Sequence, residues 1–550
     1  MRKFALLIVF CISLFNVGLS WSNNAKIETD TYSANDFNDA VNGLSSKNFT
    51  QKMGYIQDIA ASKDPQALFI LQHLLDGKLY FLKKTKTIVI AETNQKKTKI
   101  HNAISGTDLG VTAKRSIKKV SINNQLRRQL KKEIARLSLS NVDDMVRTQA
   151  AEQILKNIDD VGLQLFTDRL AVEKNESIIE IIETGIALYL LKNGTTNEQL
   201  NAAELLSNSL YPEVKHTLSN NLEGITGSPL SAEKQELKRV LEASIKKIDY
   251  KLSWYKHLEN IFFGVSLGSV LLLAAVGLAI TFGVMGIINM AHGEMLMLGA
   301  YTTYIIQQIM PNAIAYSPLI AIPVAFIFTA LVGVIIERGI IRHLYGRPLE
   351  TLLATFGISL ILQQAVRTII SPQNRAVASP EWMSGSLQIN PALALTYNRI
   401  YIILFSIAVL IGLMLLLQKT RFGLQVRAVT QNRTMAKAMG IRTDWIDAYT
   451  FGLGSGIAGM AGVALSQLTN VGPNLGQAYI IDSFMVVVFG GVGNLWGTFF
   501  GAMTLGIANK YLEPMTGAVI AKVVILVFII LFIQKRPKGM FALKGRSAEN

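Results

Sequence analysis

Hydrophobic and polar positions follow two different rhythms along this chain, and the change falls at residue 258. Before it, apolar residues recur at helical spacing between charged ones. After it, they run together in stretches long enough to cross a bilayer. These runs predict spans at Ile261–Thr281, Val284–Ile309, Pro318–Ile336, Thr351–Ile370, Ile400–Leu417, Ala448–Leu468, Tyr479–Val492, Leu495–Tyr511 and Ala518–Ile533, about nine crossings in all. Three of the joining stretches are basic: Arg338, Arg342 and Arg347; Lys419 to Arg442; and Lys535 to Arg546. Basic loops stay in the cytoplasm. An N-terminus outside reaches the first of them after three crossings, the second after two more and the tail after four more, so the parity agrees. A single re-entrant segment, at Tyr479–Val492 or around Gly283, would break that agreement.

Residues 25–257 read as a water-soluble, mostly helical domain. In VDDMVRTQAAEQILKNI, Val142, Val146, Ala150, Ile154 and Ile158 recur at spacing four while Asp143, Arg147, Glu152 and Lys156 cover the other side, which predicts one amphipathic helix. SIIEIIETGIALYLLKN and NEQLNAAELLSNSL follow the same plan, as in a stack of helix pairs of HEAT-like type. A β insertion is predicted near residues 78–110, with one strand at Thr87 to Ala91 and its return near Thr98 to Ile104. The lysines around it read as a solvated face. Leu237 to Lys256 reads as a basic amphipathic helix, with Trp254 and Tyr255 suited to the headgroup level before the first span. Ahead of the domain, Arg2, Lys3, the short apolar run Phe4 to Phe15 and the small residues Gly18, Ser20 and Ser22 form a secretory signal over residues 1–22. The competing reading is a retained anchor helix, because Trp21 is an unusual neighbour of a cleavage site.

Charge narrows the function. Residues 258–550 hold 10 of the 38 acidic and 19 of the 54 basic groups, so the membrane half is charge-poor. A net charge of +16 suggests nucleic acid, yet the basic residues neither interleave with aromatics nor take zinc-finger or RNP spacing. The only cysteine, Cys11, lies in the signal, so a processed chain has no thiol for a disulfide or a thiolate metal site. No catalytic or phosphate-loop motif is present, and neither metal nor cofactor is expected.

Glycine is the informative residue in the membrane half. Gly493, Gly497 and Gly501 repeat every fourth position, as do Gly452 with Gly456 and Ala458 with Gly462 and Ser466, a spacing that lets helix backbones approach closely. Phe282-Gly283-x-x-Gly286 returns as Phe489-Gly490-x-x-Gly493, each time at the end of an apolar run and before an asparagine, Asn289 or Asn494. Paired glycine-broken segments point to a substrate path, with glycine-driven packing as the alternative. Polar groups are costly in lipid, so Asn289, His292, Glu294, Gln363, Gln364, Asn470 and Asp482 are candidates to line that path, interhelical hydrogen bonding being the alternative for each. On a regular helix Asn289 and His292 share a face, whereas His292 and Glu294 point to nearly opposite sides, which disfavours a His–Glu catalytic or metal pair.

Five segments then match a family in order: GLAITFGVMGIINMAHGEMLMLGAY, LLATFGISLILQQ, RFGLQVRAVTQNRTMAKAMGIRTD, FMVVVFGGVGNLWGTFFGA and KRPKGMFALKGR. Residues 258–550 resemble the membrane subunits of branched-chain amino-acid-type ABC importers. The resemblance implies an all-α polytopic membrane protein of about 8–9 transmembrane helices, in a bacterial inner membrane, with the helical N-terminal domain in the periplasm and the C-terminus in the cytoplasm. It implies as partners a second permease subunit, two cytoplasmic ATPase subunits and a periplasmic substrate-binding protein, the ATPases hydrolysing the ATP. Ala436-x-x-x-Gly440-Ile441 is similar to the family's coupling helix and, with Arg427 and Ala428, marks the segment expected at the ATPase.

Within the family the chain is most similar to the urea permeases. Amino-acid permeases typically carry Phe where Met290 stands and acidic residues at Gln431 and Asn432, and they lack a long exported N-terminal domain. Urea is therefore the expected cargo, with a branched-chain amino acid or a short-chain amide as the alternative. A urea channel would need no coupling segment, and a membrane enzyme would need a convergent set of acid, base or metal ligands.

Overall fold

The computed structural model describes residues 34–62, 64–94, 97–112, 114–225 and 231–541; the expected signal and the end of the basic tail lie outside them. The chain forms two compact units. One gathers the described residues through Leu206 with Thr217–Leu241, and the other gathers Ser207–His216 with the described residues from Glu242 onward.

In the first unit, α1 (Ala34–Gly43), α2 (Phe49–Ala61) and α3 (Ala67–Leu75) bury Val41, Ile56, Ile59, Ile70 and Leu71 together with Leu79 and Ile88 of a five-stranded antiparallel sheet. Its strands are β1 (Leu79–Leu82), β2 (Ile88–Asn94), β3 (Lys97–Asn102), β4 (Asp108–Thr112) and β5 (Ile117–Lys119), in the order β4-β3-β2-β1-β5. The sheet runs past the expected limit at residue 110 because the short strand Ile-Lys-Lys pairs with β1. One apolar residue between lysines leaves no periodic signal to read.

Six helices follow: α4 (Asn124–Leu139), α5 (Asp144–Leu155), α6 (Asp160–Leu170), α7 (Glu176–Asn193), α8 (Thr196–Leu206) and α9 (Pro212–Gly224). Asn123, Asp143, Asp159 and Asn175 start four of them, each side chain accepting a backbone N–H of the first turn. The apolar face of α5 differs from the expected one. Val142 is exposed, Asp143 is the cap, and Arg147 is buried at 7% exposure. The reason is pairing across 26 residues: Arg147 donates to both oxygens of Glu173 at 2.9 and 3.0 Å and to Asp144 at 2.6 Å, while Arg169 also reaches Glu173.

Burial opposes the charged form of Glu173, yet these guanidiniums and the N–H groups of Lys174 and Asn175 hold its carboxyl at about 2, below the usual 4.5. A depressed carboxylate stabilises the fold fully above its unfolded value and loses that contribution as pH falls through the folded one. The first unit should therefore lose about 3 kcal/mol between pH 4.5 and 2 from this group. Chemical denaturation followed by circular dichroism reads this; Glu173→Gln should be weaker at pH 7 and flatter across that window.

The second unit holds the apolar half, in α10 (Ala232–Met285) from Glu242 onward, α11 (His292–Ile309), α12 (Ser317–Gly339), α13 (Pro348–Ile369), α14 (Tyr397–Lys419), α15 (Arg421–Gln431), α16 (Arg433–Ala438), α17 (Thr443–Ser466), α18 (Leu475–Gly490), α19 (Leu495–Thr516) and α20 (Ala518–Lys535). Among the described residues, six helices can cross a membrane by length and composition: α10, α12, α13, α14, α17 and α20. The helices α11, α18 and α19 occupy the places of the other expected runs. Two expectations change. Val284–Ile309 is not one helix, since α10 ends at Met285 and α11 begins at His292. Leu237 to Lys256 is not a separate interfacial helix but part of α10, whose 54 residues span about 80 Å, far more than a bilayer core.

The helix α17 is the centre of the bundle, packed against α11 and α12. Gly452 and Gly456 face Ala330 and Phe326 of α12, and Gly462 faces Leu296 and Ala300 of α11. Small residues on two sides of one helix admit two neighbours at close range.

Candidate functional site

Two helix breaks meet inside the second unit. The first follows α10, where Gly286 takes φ +69°, a conformation open to glycine and strained for other residues. The chain then stays non-helical to Ala291, and α11 restarts at His292. The Nε2 of His292 lies 2.9 Å from the carbonyl of Ala274, well inside α10. The break therefore folds the chain back along α10, and α11 starts in the interior. The second break follows α18, with Gly491 at φ +107° and Gly493 at φ +79°; Asn494 then caps α19 by accepting from Trp496 and Gly497 at 3.1 and 3.2 Å. A Cβ on Gly283 would lie 2.7 Å from the Cα of Gly493, so the two copies of the Phe-Gly-x-x-Gly motif touch.

The glycine stripe is divided by this arrangement. Gly490 and Gly497 lie against each other's backbone and Gly501 approaches the carbonyl of Val486, packing α19 on α18. Gly493 lies in the break and takes no part in that stripe. The last carbonyls of α18 are satisfied by the tail, as Met540 and Phe541 donate to Phe489 and Gly490 at 2.9 and 3.1 Å.

Of the polar candidates, four surround the start of α11: Asn289, His292, Glu294 and Gln363. Asn289 is buried and its side chain accepts from the N–H of Ala291 at 3.0 Å. Glu294 is 1% exposed, and its Oε1 accepts from Ser359 at 2.9 Å and from Gln363 at 2.7 Å, both on α13. His292 faces α10 and Glu294 faces α13, so the two are not a pair. The remaining candidates lie elsewhere. Asp482 is buried on α18 and bound by Lys522 of α20 at 2.9 Å. Gln364 is exposed beside Gln363. Asn470 is exposed next to Val471, whose backbone bridges to Arg375.

The basic segment forms a capped hairpin. Thr420 caps α15, and Asn432 caps α16 by accepting from Met435 at 2.9 Å. The helix α16 ends on Gly440, at φ +87°, with Gly440 N–H donating to Lys437 and Ile441 N–H to Ala436, both at 3.1 Å. This is the Schellman arrangement, and it gives Ala436, Gly440 and Ile441 of the sequence motif their roles. Ala436 is buried with Val426, Val429 and Ile446, and Ile441 packs beside them; Ala428 is half-buried and Arg427 exposed. No atom would meet a Cβ on Gly440, so only its backbone conformation resists a side chain. Gly440→Ala should cost about 1 kcal/mol of stability, measured by thermal unfolding.

Residues 260–533 match the branched-chain amino acid transport system / permease component family. The high-affinity branched-chain amino acid transport system permease protein BraD of Pseudomonas aeruginosa is 30% identical over 296 residues, covering 52% of this chain and 96% of that one. The chain belongs to this permease family. The corresponding protein LivH of Salmonella typhimurium is 31% identical over 294 residues, covering 52% and 94%. The inner membrane ABC transporter permease protein YjfF of Escherichia coli is 30% identical over 214 residues, covering 36% and 60%. No solved structure matches. The protein is thus a membrane permease rather than an enzyme, and its first unit lies outside the matched residues.

Ser359, Tyr345 and Asp447 carry no signal in the sequence pattern, and the structure alone brings them to their partners. Ser359 partners Glu294, and Lys522 partners Asp482. Arg433 binds Asp447 and the hydroxyl of Tyr345. Lys522, a lysine inside an apolar run, is the sequence signal for a partner to Asp482.

Proposed function

We propose that this permease is the membrane subunit of an ABC importer, seated in a bacterial inner membrane with its first unit in the periplasm and its tail in the cytoplasm. The carrying observation is the α15–α16 hairpin. It is locked at both ends and leaves Leu424, Met435 and Met439 exposed at 63%, 60% and 77%, among arginines, as a face for a cytoplasmic ATPase. The partners would be a second permease subunit, two ATPases and a periplasmic substrate-binding protein.

Urea is our reading of the cargo. The polar groups around the start of α11 are Asn289, Ser359, Gln363 and Glu294, with no buried arginine or lysine among them. They offer hydrogen bonds to a neutral solute but no counter-charge for a carboxylate, whose removal from water is expensive unless paired. A branched-chain amino acid is the second reading, and the names of BraD and LivH support it more directly than anything supports urea. Proteoliposomes holding the permease with its partners, given ATP and labelled urea or leucine, decide between them. Leucine accumulation without urea establishes the second reading, and accumulation of neither removes the importer reading. Gln363→Leu should lower flux several-fold while assembly is retained, because a hydrogen-bond partner is lost at similar volume.

Orientation has its own test. In a variant without Cys11, a cysteine at exposed Ser121 should react with an impermeant thiol reagent in intact spheroplasts, and one at exposed Lys437 only after lysis. The reverse pattern would sink the topology.

A further inference from the structure

The last turn of α10, directly before the Gly286 break, is held by the basic hairpin through a short chain of contacts. Arg433, the first residue of α16, donates to the carboxylate of Asp447 on α17 and to the hydroxyl of Tyr345, and its guanidinium lies 4.1 Å from the centre of the Tyr345 ring. The Tyr345 hydroxyl in turn donates to the carbonyl of Met285 at 3.3 Å, which has no helical partner because α10 stops there. Beside this polar chain, Val284 packs against the apolar cluster of Val426, Val429, Ala436 and Ile446. The hairpin thus grips α10 one residue before the break, at a point where an apolar contact and a polar one act together. On the far side of the break, the N–H of Met290 donates to Thr355 at 3.2 Å and α11 begins with the Glu294 cluster.

We propose that Arg433 and Tyr345 are positioning residues that tie the α15–α16 hairpin to the Gly286 break, so that displacement of the hairpin moves the end of α10 and the start of α11. The inference rests on the importer reading. A guanidinium suits this place because it binds a carboxylate through two nitrogens while stacking on a ring, which an ammonium does not do. The break suits it because a non-helical segment between two helices absorbs a backbone change that a continuous helix would resist.

The test uses the complete importer in proteoliposomes and reads three quantities: assembled complex, ATP hydrolysis, and uptake per ATP hydrolysed. Tyr345→Phe removes only the hydroxyl. It and Arg433→Ala, the latter made together with Asp447→Asn so that no carboxylate is left buried and unpaired, should leave assembly and hydrolysis near wild type while uptake per ATP falls about tenfold. Arg433→Lys should fall between, and the exchange Arg433→Asp with Asp447→Arg should recover part of the loss. Unchanged uptake per ATP in Tyr345→Phe and Arg433→Ala would overturn the proposal, as would a parallel fall of uptake, hydrolysis and assembled complex, which marks a purely structural role. If the wild-type importer takes up nothing under ATP, the importer reading fails and takes this inference with it. Uptake by wild type with unchanged variants removes this inference alone.

Discussion

Valine at Gly299 or at Gly462 is expected to abolish recovery of folded permease, while valine at Gly412 should be recovered like wild type. A Cβ at Gly299 would overlap the backbone of Gly459, and one at Gly462 would meet the backbone of Leu296 and lie 2.8 Å from the N of Ala300. These neighbours are main chain on both sides of the α11–α17 contact, so no side chain can swing away to make room. Overpacking that side chains can absorb costs about 1–3 kcal/mol. Here two helices must separate, and the van der Waals packing that holds helices together in lipid is lost along the seam. Nothing lies within 4 Å of a Cβ at Gly412, on α14. A valine there also replaces a poor helix former with a better one. The measurement is monodisperse protein after detergent extraction, with at least about a tenfold difference expected between the two classes. Equal recovery of Gly299→Val and Gly412→Val would mean that α11 and α17 do not pack as described.

The second large effect concerns the ion pair between α18 and α20. Asp482 is 7% exposed and Lys522 lies 2.9 Å from it, with the carbonyl of Ala478 also near the ammonium. Asp482→Leu should leave Lys522 as an uncompensated cation at an apolar helix surface, costing about 2–3 kcal/mol. Lys522→Leu should leave a buried carboxylate and cost at least as much, since a buried acid without its partner carries the full desolvation penalty. The double variant should recover most of the loss, because the pair is replaced by apolar groups of similar volume. Thermal unfolding of the four proteins forms the cycle. Additive losses in the double variant would show that the two side chains do not depend on each other.

Much of the membrane half was legible because lipid punishes local errors. A run such as Tyr397–Lys419 reads as a span wherever its neighbours lie, and among the described residues each expected run has a helix at its place. The break after α18 was legible for a similar reason, whereas the expected span Val284–Ile309 ran through the one after α10. Phe-Gly-x-x-Gly ends both α10 and α18, because glycine at φ above zero is a property of single residues. The hairpin motif was legible too, as Gly440 and Ile441 close α16 by contacts within six residues. In the first unit, apolar spacing announced the helices but not their starts, since Asp143 reads as polar face and is the cap, and β5 was too short to announce itself.

What the sequence by itself determined is therefore the set of helices, the glycine interruption after α18 and the capped hairpin, all governed by forces acting within a few residues of chain. The tertiary structure alone decided the partners. It buried Arg147 because Glu173 arrives opposite it, drew Gly493 out of the packing stripe and against Gly283, and divided the stretch from Val284 to Ile309 between two helices. It joined Glu294 to Ser359 and Gln363, and Arg433 to Asp447 and Tyr345. Such pairings lie outside local pattern because a buried polar group is indifferent to sequence distance: it must be satisfied by whichever segment the fold brings within about 3 Å.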